Sequence, residues 1–466
     1  MAAIDQLPPQ AQQQQVPLES LQDRFAILDL TGNIRLIDRN QVKDYFDGIR
    51  QGELSMYTKA DANLKMKRHL EAMTVPSDLG KVINDFWNSP NTKEYDALAF
   101  SPGETSESTL NFWVGPTPAA ARGIWVGLRN YLRDVVCNGD ELVFDYLIRY
   151  LAHMVQRPDE KPGIMLVLLG GQGTGKGMFF NFLRALWSHT TLQVSAIDQV
   201  IGRFNAQIER NFIICMDEAL FAGDKKALDR LKSAITEPVI QIEQKHQPSR
   251  TIESVHRFLA ASNHDQFAHI ERDDRRFVFL RLSSKYKQDT TYFGTIVASI
   301  ADPVTMGAVL YYLSRKDISE FNVRVRPATS ENLSQKLKSL EGFERYWYEV
   351  LSTGNLAGQA NKVDFLRRLD SFPAVWSDSV FVGSEWLLQK FKDFDKNAQR
   401  FQTVQIKFVR EQLSKLCPSA EDGRQLQPAL QGEQPRQIRG IKLPALPLAR
   451  QEFSAAMGSE VDWGED

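Results

Sequence analysis

Residues 170–177 read Gly170, Gly171, Gln172, Gly173, Thr174, Gly175, Lys176, Gly177. An apolar run, Leu166 to Leu169, precedes them, and another, Met178 to Phe180, follows. The spacing of Gly170, Gly175 and Lys176 is that of a phosphate-binding loop. Glycine suits this role because the backbone must curl tightly and turn its N–H groups onto phosphate oxygens. The helix that follows adds its positive end, and Lys176 adds a point charge for the β- and γ-phosphates. The residues therefore predict ATP binding by the whole 170–177 loop. One position departs from the pattern: Gly177 stands where a Ser or Thr would hold magnesium. The competing reading is a glycine-rich turn with no ligand. The order strand, loop, lysine, helix favours phosphate.

Three further stretches could act on a bound phosphate. Phe212 to Met216 is apolar and ends in Asp217 and Glu218. In an open α/β sheet such a strand end lies beside the phosphate loop, so Asp217 is expected to hold Mg2+ and Glu218 to orient and deprotonate a water. The plainer alternative is a helix cap at Asp217. Phe258 to Ser262 ends in Asn263, expected to contact the attacking water or the γ-phosphate, against an ordinary turn asparagine. Arg275 and Arg276, with Arg272 as a third candidate, suit a contact to charge developing on a phosphoryl group. Paired arginines before a strand also suit a solvated turn.

Between the last two strand ends, residues 239–253 alternate apolar and polar around a polar tip. That pattern reads as a β-hairpin with Lys245 and His246 at the tip and Arg250 close behind. Taken alone, an exposed tip of this kind is more often solvated than functional. As a DNA-binding feature, the three would hold backbone phosphates.

These residues need a frame. Apolar strands are expected at Met165–Leu169, Leu192–Val194, Phe212–Met216, Arg257–Ala261 and Phe277–Leu282. Their alternation with helical segments predicts an α/β fold, a mainly parallel sheet with helices on both faces. This ATPase-type domain is assigned to residues 161–340. Residues 1–20 are Gln- and Pro-rich and read as a disordered tail. Residues 21–115 read as a small N-terminal α+β domain with a hairpin at Gly32 and Asn33. Residues 116–160 turn helical in period, with Phe144, Leu147, Ile148, Leu151 and Val155 on one face. They are expected to pack in the core or to form a helical collar. Residues 341–466 read as helices followed by a basic strand pair carrying Arg436, Arg439 and Lys442. That order suggests a winged-helix-like domain, ending in an acidic tail.

The chain has 466 residues, 42% hydrophobic and 24% charged, with a net charge of -2. Any nucleic-acid contact must therefore come from local basic patches. Cys137, Cys215 and Cys417 show no metal-ligand spacing, which argues against zinc and disulfides and fits a reducing, cytoplasmic setting. No apolar run approaches the roughly 20 residues of a membrane span, and the first residues do not read as a signal peptide.

Five ordered motifs together resemble superfamily 3 helicases, the ring motors of small DNA viruses, phages and plasmids. More narrowly, residues 85–285 are similar to the helicase part of phage and plasmid primase-helicases. The similarity lies in the 170–177 loop, Arg203 to Asn205, Asp217 and Glu218, Lys232, Thr236 to Pro238, Lys245, Ala261 to Asn263 and Asp274 to Phe277. The resemblance implies an AAA+-like P-loop core and an ATP-driven homo-hexamer that moves on single-stranded DNA and unwinds forked DNA during bacteriophage replication. It implies phosphate binding by Lys176, magnesium at Asp217, a base at Glu218 and a sensor at Asn263. DNA contacts fall to Lys245 and His246, with Arg275 or Arg276 acting in trans. The first 110 residues show no primase site, so a separate primase, or none, is implied; a host bacterial cytoplasm is the expected location. An ATP-switched initiator or loader is the alternative reading. A small-molecule kinase is disfavoured, since it accounts for neither Asn263 nor the hairpin nor the arginines.

Overall fold

The computed structural model describes residues 9–30, 32–47, 55–73, 78–217, 225–243, 249–265, 267, 274–327, 329–356, 376–395, 405–427 and 436–464. Two compact units divide the chain. One is Met1–Asp265 with Arg275–Pro327, and the other is Gln266–Asp274 with Ala328–Asp466.

The first unit begins with helix α1 (Pro9–Arg24), so part of the stretch whose composition suggests a disordered tail is helical. Leu18 and Leu21, three residues apart, put one face of α1 onto an apolar cluster with Phe25. Strands β1 (Phe25–Leu30) and β2 (Asn33–Asp38) form the expected hairpin, and Gly32 adopts a φ of +85° that favours glycine. Helices α2 (Arg39–Phe46), α3 (Lys59–Ala72) and α4 (Leu79–Asn88) follow, with short strands β3 (Met56–Tyr57) and β4 (Glu94–Tyr95). The sheet order is β3-β2-β1-β4. The period of two along β1 decides its packing. Phe25 and Ile27 enter one apolar cluster, while Ala26 and Leu28 enter another with Phe112. A parallel pair, β5 (Ala97–Ala99) and β6 (Thr109–Asn111), completes this region.

Helix α5 (Val126–Asn130) runs into a π-helical turn, Tyr131–Val136, and then α6 (Glu141–Gln156). Asp140 caps α6 by accepting from the Leu142 and Val143 amides. Leu147, Ile148 and Leu151 of α6 are buried with strand residues Leu166 and Leu168 in one cluster, so this stretch is core packing in the described unit.

The site-bearing sheet has five strands: β7 (Met165–Leu169), β8 (Thr191–Val194), β9 (Ile213–Met216), β12 (Arg257–Ser262) and β13 (Phe277–Arg281). The intervening strands β10 (Val239–Ile242) and β11 (Arg250–Glu253) form a separate antiparallel hairpin. The five run in the order β13-β7-β12-β9-β8, and every neighbouring pair is parallel. All five residues of β7 are buried, which explains why it reads as an unbroken apolar run. Helices α7 (Lys176–Leu186), α8 (Asp198–Ile201) and α9 (Lys225–Thr236) lie between the strands in sequence, and α10 (Thr290–Ala301) and α11 (Pro303–Arg315) follow. Expected and observed strand limits agree to within one residue.

The second unit contains α12 (Ser330–Lys338), α13 (Gly342–Thr353), β14 (Val380–Gly383) and α14 (Ser384–Phe394). Helix Ile406–Leu416, β15 (Glu421–Gln427), β16 (Arg436–Leu443) and helix Leu446–Met457 follow. The order β14-β16-β15 is antiparallel throughout. The basic stretch from Arg436 is thus one strand paired with an upstream strand, and not a strand pair of its own. Trp347, Trp376 and Phe391 are buried together at its core.

No single helix among the described residues is long and apolar enough to cross a membrane. α10 and α11 together reach the length, but they are bent by 75°, and Ile296, Met306, Val309 and Leu313 from them are buried in the core.

Candidate phosphate-binding site

The loop leaves the sheet at the C-terminal end of β7. The Gly170 amide donates to the Ser262 carbonyl (3.3 Å), and Thr174 Oγ1 donates to the Gly171 carbonyl (2.9 Å), so the curl is closed from both sides. Glycine is required at two points. Gly173 has φ +78°, and an added Cβ would lie 2.8 Å from Gln288 Cγ. Gly175 has φ +101° at the N-terminal cap of α7, and a Cβ there would lie 2.7 Å from Phe293. The Gly175 carbonyl accepts from the Tyr131 hydroxyl (3.0 Å). Burial pushes that phenol well up from its ordinary value, so it stays a donor.

Lys176 opens α7 and is buried. Its Nζ donates to the Gly170 carbonyl, to the Gly171 carbonyl (2.9 Å) and to Asn263 Oδ1 (2.7 Å). Asn263 follows β12, the neighbour of β7, so the parallel register brings both to one edge of the sheet. Asp217 follows β9 at that same C-terminal edge; its amide donates to the Val194 carbonyl (2.9 Å), and its Oδ2 accepts from Gln193 Nε2 (3.0 Å). Gly177 faces open space: nothing lies within 4 Å of an added Cβ. The chemistry of this donor set fits a polyphosphate. Glycine amides and a lysine stand at a helix start, and a carboxylate shares the sheet edge. Among the described residues, no group of three or more His, Cys, Asp or Glu side chains could hold a metal by itself. A nucleotide-borne Mg2+ would find one described carboxylate at this edge, Asp217.

Arg275 and Arg276 are not brought to this edge. They precede β13, and the Arg276 carbonyl accepts from the amide of Met165, the first residue of β7. Five strand residues, roughly 16 Å at the usual rise, separate that end of the sheet from the loop. Glu218, Lys245, His246 and Arg272 lie outside the described residues. Arg250 begins β11 opposite Ile242.

The base of the hairpin is anchored by residues that carry no sequence signal for it. Asn205 Nδ2 donates to the Gln241 carbonyl (3.0 Å), and its Oδ1 accepts from the Glu243 amide (3.0 Å). Lys161 Nζ donates to the Ala234 carbonyl (2.7 Å) and to Ser254 Oγ (2.6 Å). Ser254 Oγ and His256 Nδ1 are 2.9 Å apart, and His256 Nε2 is 3.0 Å from the Ile208 carbonyl. Because a carbonyl only accepts, Nε2 carries the proton, Nδ1 accepts from Ser254, and Ser254 accepts from Lys161. Burial lowers the His256 pKa to about 4, which keeps the ring neutral as this chain requires. Gln193, Tyr131, Lys287 and Gln288 also escape sequence reading; their roles appear only when distant segments meet the loop.

A family of unknown function, DUF5906, matches residues 168–276, well under half of the chain. The DNA primase-polymerase of Nitratiruptor phage NrS-1 is 26% identical over 156 residues, which cover 31% of this chain and 22% of that protein. A solved apo structure of the NrS-1 C-terminal region, residues 305–718, superposes with a TM-score of 0.60 at 15% identity, covering 92% of this chain and 99% of that one. Its A form gives a TM-score of 0.61, also at 15% identity, covering 91% and 98%. These structures show the shared fold alone, a mixed α/β arrangement with a parallel sheet. The similarity to a DNA primase-polymerase overturns the helicase reading, with its ATP-hydrolysing ring motor, and gives the initiator or loader alternative no support. The physical reason is that a glycine loop, a strand-end acid and a strand-end amide suggest how a phosphate would be held. They do not specify what the binding is used for.

Proposed function

We propose that this chain serves phage-type DNA priming and strand synthesis as a nucleoside-triphosphate-holding module on a P-loop core. The hydrogen bond from Lys176 to Asn263 carries the reading. It places a lysine and a strand-end amide at the mouth of a glycine loop, on the edge of a parallel sheet where ligands of such folds bind. The 26% identity over 156 residues to a phage DNA primase-polymerase supports the setting in DNA synthesis.

In this reading residues 170–177 wrap the phosphates of ATP or a related nucleotide. Lys176 neutralises the terminal phosphates, Asp217 contacts the accompanying Mg2+, and Asn263 gives up its Oδ1 contact with Lys176 and donates from Nδ2 to the γ-phosphate. Glu218 follows Asp217 in sequence as a second carboxylate. Any phosphate contact by Arg275 or Arg276 comes from another copy of the chain, because within one chain they lie at the far end of β13. Lys245, His246 and Arg250 offer cations to single-stranded template DNA, and the antiparallel sheet of the second unit is a winged-helix-like element.

The test is mutual tightening. ATP binding is measured with and without a single-stranded oligonucleotide, on the full chain. The wild type should bind both, each improving the affinity for the other, and Lys176→Ala should keep DNA binding while losing ATP and the coupling. A wild type that binds no ATP overturns the proposal.

A further inference from the structure

We infer that Lys287 is a second phosphate-binding cation at the 170–177 loop and supplies part of the charge neutralisation that a magnesium-binding hydroxyl at position 177 would otherwise support. The inference rests on the nucleotide reading above and adds to it a residue and a consequence for metal dependence.

Lys287 lies on the segment that joins β13 to α10. Its Nζ is 3.6 Å from the position a Cβ on Gly171 would occupy, so its ammonium stands against the exposed part of the loop. Its side chain is exposed and forms no ion pair among the described residues. Lys176 differs in its burial and in its hydrogen bonds. It is buried, and a phosphate must compete with three oxygens for its donors. Lys287 faces no such competition.

The segment is tied to the end of β7, to the π-helical turn and, at Gln288, to the loop itself. The Leu282 amide donates to the Leu169 carbonyl (2.8 Å), the Ser283 amide to the Val135 carbonyl (2.8 Å) and the Gln288 amide to the Gly173 carbonyl (3.0 Å). Gln288 is held at φ +61°, one of two non-glycine residues with positive φ among those described. A left-handed glutamine is strained and persists only where its surroundings fix it. Here the fixing partner is the phosphate loop itself. The same strained turn positions Lys287 next to Gly171.

A triphosphate carries several negative charges, and one lysine with a row of amides leaves much of that charge for a metal to offset. The loop has no hydroxyl at Gly177 to hold that metal. A second ammonium on the exposed side makes binding less dependent on Mg2+.

The experiment is ATP titration of the full chain with magnesium and with chelator, for wild type, Lys287→Ala, Lys287→Arg and the neighbouring Lys285→Ala. Lys287→Ala should weaken ATP by about tenfold, the scale of one charge-assisted contact, with a larger loss in chelator. Lys287→Arg and Lys285→Ala should stay within about twofold on the same scale. Melting without ATP should not change in Lys287→Ala, which separates ligand binding from folding. If Lys287→Ala binds as wild type does in both conditions, or falls no further than Lys285→Ala, the inference is wrong while the nucleotide reading stands. A wild type that binds no ATP overturns both.

Discussion

Lys176 and Asn263, 87 residues apart, meet through a 2.7 Å hydrogen bond from Nζ to Oδ1. The contact exists because β7 and β12 run parallel as neighbours, Leu169 level with Ser262, so that the residue after each strand emerges at the same edge. It ties the lysine of the glycine loop to the one strand-end amide that sequence reading singles out.

Asn263→Ala removes one of the acceptors described around the Lys176 ammonium. Asn263 is exposed, so water replaces much of what is lost, and the expected destabilisation is about 1 kcal/mol. The clearer effect is on ATP. If Asn263 donates from Nδ2 to the γ-phosphate, the variant should discriminate less between ATP and ADP than wild type does. Isothermal titration with both nucleotides measures this, and unchanged discrimination removes Asn263 from the site.

Gly175 and Gly177 should respond in opposite directions to alanine. At Gly175 the backbone has φ +101° and an added Cβ meets Phe293 at 2.7 Å. Gly175→Ala should therefore cost about 2–3 kcal/mol in denaturant unfolding. Gly177 lies in the first turn of α7 with open space beside it, so Gly177→Ala should stabilise by about 0.5–1 kcal/mol. Equal losses at the two positions would show that the loop geometry is wrong.

Gly177→Ser restores the hydroxyl that the usual motif carries, and the site has room for it. ATP affinity should then rise more steeply with magnesium than in wild type, while affinity in chelator stays close to the wild-type value. A magnesium response identical to wild type would mean that position 177 does not face the metal.

Acid should loosen the hairpin anchor. Burial lowers the His256 pKa from the ordinary 6.5 to about 4. Between those values the unfolded chain binds more protons than the folded one, so stability falls as pH drops from about 6.5 toward 4 and levels off below. The full shift corresponds to about 3 kcal/mol. His153, lowered to about 4 by burial and by Arg257, adds a loss of the same sign. His256→Gln should flatten the pH dependence of unfolding free energy in this window without abolishing it. A variant with the wild-type slope would contradict the neutral, buried assignment.

The sheet was legible because its strands are buried on both faces and therefore read as apolar runs such as Met165 to Leu169. The loop, Asp217 and Asn263 were legible because each directly follows such a run. What stayed hidden depends on segments meeting in space. Nothing local marks Tyr131 as the donor to Gly175, or Asn205 as the clamp on β10, or Gln288 as the residue packed on Gly173. The Gln-rich start misled because composition weighs a whole stretch, whereas Leu18 and Leu21 suffice to seat one helical face. The helicase reading failed at another level: a glycine loop with a strand-end acid and amide suggests how a phosphate would be held, and the use of such binding is not written in those residues.

Equilibrium binding of radiolabelled ATP to the full chain, comparing wild type with Lys176→Ala, decides whether the 170–177 loop holds a nucleotide. The wild type should bind saturably and one to one, with an affinity weakened by about 100-fold in the variant, as expected for losing a charged contact at the phosphates. No binding by the wild type, or equal binding by both proteins, would contradict the nucleotide reading.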